Sequence, residues 1–165
     1  MRYIIDANNL AGKLGLLDDK NFDCELIGQM LHYFGNKKHQ VDLVFDGIDY
    51  FGDKSRVNNL NIIRAPRGDH GHSADDKIVE MVECCSVAEM RQLVVVTDDT
   101  GLLERIKEIE NEKGVEVEKM RARNFSQRVE NKFQKDSLGV EIDDGKIMKA
   151  KDVERINDEL LKLWS

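Results

Sequence analysis

The chain has 165 residues, 41% of them hydrophobic and 35% charged, with a net charge of −7 and a pI near 5.2. That length suits one compact domain with its own core, that composition excludes a disordered chain, and no apolar run reaches the roughly 18 residues of a membrane span. Overall acidity excludes a protein that coats nucleic acid through bulk basicity.

Met1-Arg2 runs straight into a strand, without the basic, apolar and small-residue regions of a secretory signal, so a cytoplasmic protein with no membrane partner is expected. Cys24, Cys84 and Cys85 are an odd count, and adjacent cysteines seldom bridge; all three are read as reduced thiols.

Tyr3-Ile4-Ile5 opens the chain as a buried strand, which ends abruptly in Asp6 and the amides Asn8 and Asn9. Phe22, Leu26, Ile27, Met30, Leu31 and Phe34 then recur at helical spacing, predicting an amphipathic helix that stops at Gly35-Asn36. HQVDLVFDG is a second strand, and NNLNIIRAP a shorter third that ends at Pro66, the only proline.

RGDHGHS reads as a loop. Ser73 offers an N-cap to the helix SADDKIVEMVECC, with Asp76 three positions on in place of a capping-box Glu. QLVVVTDD is the most apolar strand, as expected when helices cover both faces. A helix over TGLLERIKEIENEKG and a strand over VEVEKM follow, then a short basic helix at NFSQRVENKF. GVEIDDGKIM reads as a hairpin turning at Asp143-Asp144-Gly145, and KDVERINDELLKLW as a last helix. Strands alternating with helices predict βαβ units and a mostly parallel, doubly wound sheet.

In such a sheet ligands bind beyond the carboxyl ends of the strands, where strand order reverses. Asp6, Asp46 and Asp99 each follow an apolar strand, and Asp75 lies in the first turn of a helix that begins at the same edge. Carboxylates gathered there repel one another unless a cation balances them. Oxygen-only donors suit Mg²⁺ or Mn²⁺, with Asp76 and Asp98 as further contributors, and the chemistry such a site suits is phosphodiester hydrolysis.

Blander uses compete. Asp46-Gly47 makes a good turn, Ser73, Asp75 and Asp76 a good cap, Asp98-Asp99-Thr100 another, and Asn8 and Asn9 are turn formers. His70 and His72 lack a suitably spaced cysteine pair for zinc and read as loop residues. From Lys119 to Lys135, six Lys or Arg face a single Glu. Arg121, Arg123, Arg128 and Lys132 should emerge near the aspartates, with Arg64 and Arg67 extending a track of counter-charges for phosphates.

IIDANN resembles the DGxN opening of NYN nucleases of the PIN-like group, SADD with Ile78 resembles their TADxxI helix start, and VVVTDD their VxTSD or TND strand end. The resemblance runs from Tyr3 to about Phe133. It implies a three-layer α/β/α PIN-like fold over residues 1–135, with 136–165 as a hairpin-helix extension packed on the same domain. It further implies a Mg²⁺- or Mn²⁺-dependent ribonuclease, an endoribonuclease cutting mRNA, tRNA or rRNA. Asp6, Asp75 and Asp99 take the motif carboxylates, Asp46 the end of the second strand, and Asn9 the substrate-contacting amide.

Ala7 and Asn8 replace the usual Gly and aromatic, Asp98 stands where Ser is usual, and Val79 stands where a Glu often follows, with Glu80 one place late. These departures motivate an alternative, a non-catalytic module that binds RNA, a ribosome or a protein. A small-molecule phosphohydrolase is a third reading. Monomer and homodimer both stay open.

Overall fold

The structure is a computed structural model that describes residues 1–35, 38–47, 52–66 and 73–137. Its elements are β1 (Arg2–Asp6), α1 (Ala7–Lys13), α2 (Phe22–Phe34), β2 (Gln40–Phe45), β3 (Asp53–Val57) and β4 (Leu60–Arg64). They continue as α3 (Ser73–Glu83), α4 (Val87–Met90), β5 (Leu93–Val96), α5 (Thr100–Lys113), β6 (Glu118–Met120) and α6 (Ala122–Ser137).

Six strands form one sheet in the order β3-β4-β2-β1-β5-β6, with only β3 antiparallel to its neighbour. In chain order the five parallel strands lie third-second-first-fourth-fifth, the doubly wound arrangement, and the order reverses between β1 and β5. The expected α/β class and mostly parallel sheet are what the chain adopts.

Side-chain alternation builds the layers. Ile5, Leu43, Phe45, Ile62, Val94 and Val96 turn to one face and pack with Leu10, Met30, Phe34, Phe125 and Val129 of α1, α2 and α6. Ile4, Val44, Ile63, Leu93 and Val95 turn to the other and meet Ile78, Val82, Met90, Leu102 and Ile106 of α3, α4 and α5. Phe34 is at the centre of the first core, with Tyr3 at 5.1 Å, Tyr33 at 5.0 Å and Phe125 at 6.0 Å between ring centroids.

Several elements depart from the sequence expectation, among them the unpredicted short helix α4. α1 begins at Ala7, directly after β1, so Asn8 and Asn9 lie in a helical first turn instead of a loop. β3 carries no apolar alternation, every residue of DKSRV being exposed, and it survives as a charged edge strand joined to β4 through Asn58 at φ 53°. α6 is longer than expected and continues past residue 135, so the boundary placed there falls within a helix. The hairpin at Asp143-Asp144-Gly145, the last helix and nearly all of the 136–165 extension lie outside the described residues. No helix among the described residues is long and apolar enough to cross a membrane.

Candidate metal centre at the sheet switch point

Asp6 is the last residue of β1 and also the N-cap of α1, with φ −70° and ψ 95°; its carboxylate accepts the Asn9 N–H at 3.4 Å. Asp99 does the same for α5, at φ −71° and ψ 111°, its Oδ1 accepting the Leu102 N–H at 3.1 Å. Asp46, just beyond β2, reaches α3, where Oδ1 accepts the Ala74 N–H at 2.9 Å. Three strand-end carboxylates therefore satisfy orphan donors at three helix N-termini, where the helix dipoles favour negative charge.

The paired amides answer to this arrangement. Asn8 Oδ1 accepts the backbone N–H of Asp46 at 3.0 Å, and Asn9 Oδ1 accepts that of Asp98 at 3.0 Å. Adjacent residues of α1 thus tie the end of β1 to β2 on one side and to the end of β5 on the other. Thr97, fully buried, adds a third tie: its hydroxyl donates to Asp6 Oδ2 at 3.2 Å and accepts the Asp99 N–H at 3.1 Å. Gly47 permits the close approach of β2 to β4, since a Cβ there would fall 1.6 Å from the Ala65 carbonyl oxygen.

Asp6 is 5% exposed, and its carboxyl is pushed up from 3.8 to about 6. Burial is the main cause. The Asn9 N–H and the Thr97 hydroxyl oppose it, while the charges of Asp46 and Asp99 raise it further. The switch point thus holds a buried acid whose ionised form is disfavoured by its surroundings and by two neighbouring carboxylates.

Other residues named from sequence are placed differently. Asp75 is half-buried in the first turn of α3, beside the Ala74 amide that Asp46 accepts. Asp76 is exposed and pairs with Arg105 of α5 at 2.8 Å. Asp98 lies against cations: Lys13 is 3.6 Å from its Oδ2, the Arg123 N–H donates to the same oxygen at 3.3 Å, and Arg121 Nη1 donates to its carbonyl at 3.3 Å. Asp98 Oδ1 is buried with no hydrogen-bond partner.

Among the basic residues, Arg121, Arg123 and Arg128 are exposed, the first two beside Asp98. Lys132 has a structural task, donating to the Tyr33 carbonyl at 2.8 Å with its ammonium 5.5 Å from that ring, which fastens α6 to α2. Arg64 pairs with Asp23 at 2.7 Å and lies over Phe45, on the α2 face. Arg67, His70 and His72 lie outside the described residues. Asn8, Thr97 and Lys13 were not singled out as site residues from sequence. The Asn8-Asn9 pair was visible, but which strand each amide reaches depends on the order of the sheet.

Among the described residues no three His, Cys, Asp or Glu side chains stand together closely enough to enclose a metal ion. The donor set nonetheless fits a hard cation. Asp6, Asp46 and Asp99 offer oxygen donors alone, and Mg²⁺ takes only one or two carboxylates while keeping several waters. No family model, curated protein or solved structure matches the chain.

Proposed function

We propose that this chain is a metal-dependent ribonuclease of the NYN/PIN-like type, acting in the cytoplasm on RNA phosphodiester bonds with Mg²⁺ or Mn²⁺. The observation that carries the reading is the Asp6 carboxylate at the sheet switch point, its proton affinity raised chiefly by burial and further by the charges of Asp46 and Asp99. A doubly charged cation relieves that repulsion, and burial without one is a standing cost.

Asp6 would hold the ion, assisted by Asp46 and Asp99, with Asp75 and Asp98 next to them. When bound, such an ion activates water and neutralises charge on the scissile phosphate. The chain's own residues do the rest. Asn8, Asn9 and Thr97 hold the strand ends at fixed separation, and Arg121, Arg123 and Arg128 supply counter-charge for the RNA backbone along α6.

A second reading, a non-catalytic module for RNA or ribosomal surfaces, draws on one observation: each of Asp6, Asp46 and Asp99 already accepts a helix N–H. Incubating end-labelled RNA with the protein, with and without Mn²⁺, separates the two. We expect cleavage that requires the metal and is lost in both Asp6→Asn and Asp99→Asn. Saturable RNA binding with no product at any metal concentration decides for the module.

A further inference from the structure

A cavity of about 420 Å³ opens on the α3 side of the sheet, between α3 and the β3–β4 edge, well within the size range of small-molecule sites. Its floor is a row of polar side chains crossing the amino-terminal half of three strands: Arg2 of β1, Asp42 of β2 and Asn61 of β4. Asp42 is 2% exposed; its Oδ2 accepts from Arg2 Nε at 2.7 Å and its Oδ1 from Asn61 Nδ2 at 2.7 Å.

Stability alone gives no reason for this row. Exchanging a buried ion pair for apolar residues is often neutral or stabilising, and here the pair lies on the floor of an open cavity, where its polar groups border space a ligand can enter. With both Asp42 oxygens occupied, the acid serves to hold the Arg2 guanidinium in place, and among the described residues Nη1 of that group has only the Cys85 sulfur at 3.6 Å.

The walls add Lys54 of β3 and Lys77 of α3. Lys54 enters no ion pair among the described residues, and Lys77 has only an exposed contact with Glu80 at 3.6 Å. Arg64 also borders the cavity, but its guanidinium is held on the opposite face by Asp23. Asp53 is the acid at the rim, with one oxygen accepting the Lys54 N–H at 2.8 Å. Ile63, Met81 and Pro66 give the cavity an apolar side.

We propose that this cavity is a second ligand site, separate from the carboxylates of the switch point, for a small phosphate ester of mononucleotide size: Arg2, Lys54 and Lys77 take the phosphate while Ile63, Met81 and Pro66 pack against the organic part. Three cationic side chains lining one cavity match the several acceptor oxygens of a phosphate better than a single carboxylate. The site does not depend on the chain being a nuclease.

The test is amide-resolved NMR titration of the metal-free protein with 5′-AMP, inorganic phosphate, adenosine and succinate. We expect saturable shifts at Arg2, Lys54, Asn61 and Lys77 with 5′-AMP, weaker ones with phosphate, and none with adenosine. Lys54→Ala and Lys77→Ala, both at solvent-accessible positions, should each weaken 5′-AMP roughly tenfold, about 1.4 kcal/mol, with the rest of the spectrum unchanged. Absence of saturable binding at millimolar ligand overturns the proposal, as do equal shifts with succinate, shifts confined to Asp6, Asp46 and Asp98, or undiminished affinity in both lysine variants.

Discussion

Replacing Asp6 by Asn should make the metal-free protein more stable, and the gain should depend on pH. The carboxyl titrates near 3.8 when unfolded and at about 6 when folded, chiefly because it is buried and secondarily because Asp46 and Asp99 lie nearby. A raised folded value means that the native state favours the protonated acid. Its contribution is fully present below pH 4 and is lost as pH rises through 6. About two pH units at ~1.4 kcal/mol each make the cost of ionising Asp6 ~3 kcal/mol above that window. Asn keeps the acceptor for the Asn9 N–H but presents an N–H₂ group or an oxygen to Thr97, at a cost of about 1 kcal/mol. Urea unfolding of both proteins in EDTA from pH 4 to 8 should therefore show Asp6→Asn equal or slightly weaker at pH 4 and about 2 kcal/mol stronger at pH 8. The corresponding rise in Tm is on the order of 4–8 °C. A difference that does not change with pH, or a variant weaker at pH 8, would falsify the electrostatic account of the switch point.

Asn8→Ala and Asn9→Ala each strand one backbone N–H, of Asp46 and Asp98 respectively, so each should cost about 1–3 kcal/mol in urea unfolding and shift the matching amide resonance; a silent variant denies the tie between strands. Gly47→Ala drives a Cβ into the Ala65 carbonyl, and a melting temperature lowered by several degrees is expected from a clash costing about 2 kcal/mol or more; an unchanged melt refutes the close approach. In RNA binding, Arg123→Ala and Arg128→Ala should each lower the slope of log affinity against log salt by about 1. Lys132→Ala should instead act mainly on stability, because its ammonium is committed to Tyr33. Equal salt slopes for all three variants would remove α6 from the RNA-binding surface.

Periodicity made the two-sided sheet legible, because Leu93–Val96 is an uninterrupted apolar run that alternates between both cores. Placing Asp6, Asp46 and Asp99 at one edge required only that each follow such a strand. What local pattern hides is pairing across the fold. Asp46, just beyond β2, accepts the Ala74 N–H of α3, a tie that the Asp46-Gly47 turn signal does not show. Asn8 and Asn9 carry turn propensity, but one carboxylate cap at Asp6 suffices to start a helix at Ala7. Asp75 and Asp76 are neighbours in sequence, but one helix step leaves Asp75 half-buried and Asp76 exposed beside Arg105 of α5. β3 is legible in no apolar pattern, because an exposed edge strand is held by β4's backbone rather than by side-chain burial.

In the proposed site a divalent cation would reconcile Asp6 with its acidic neighbours. Adding Mn²⁺ to isotope-labelled protein and recording paramagnetic line broadening tests it most directly. Broadening centred on the amides of Asp6, Asp46, Thr97 and Asp99, saturating with added metal and absent in Asp6→Asn, is the predicted result. Broadening spread over surface acids such as Asp76 and Glu80, or an Asp6→Asn spectrum that broadens as the wild type does, would contradict it.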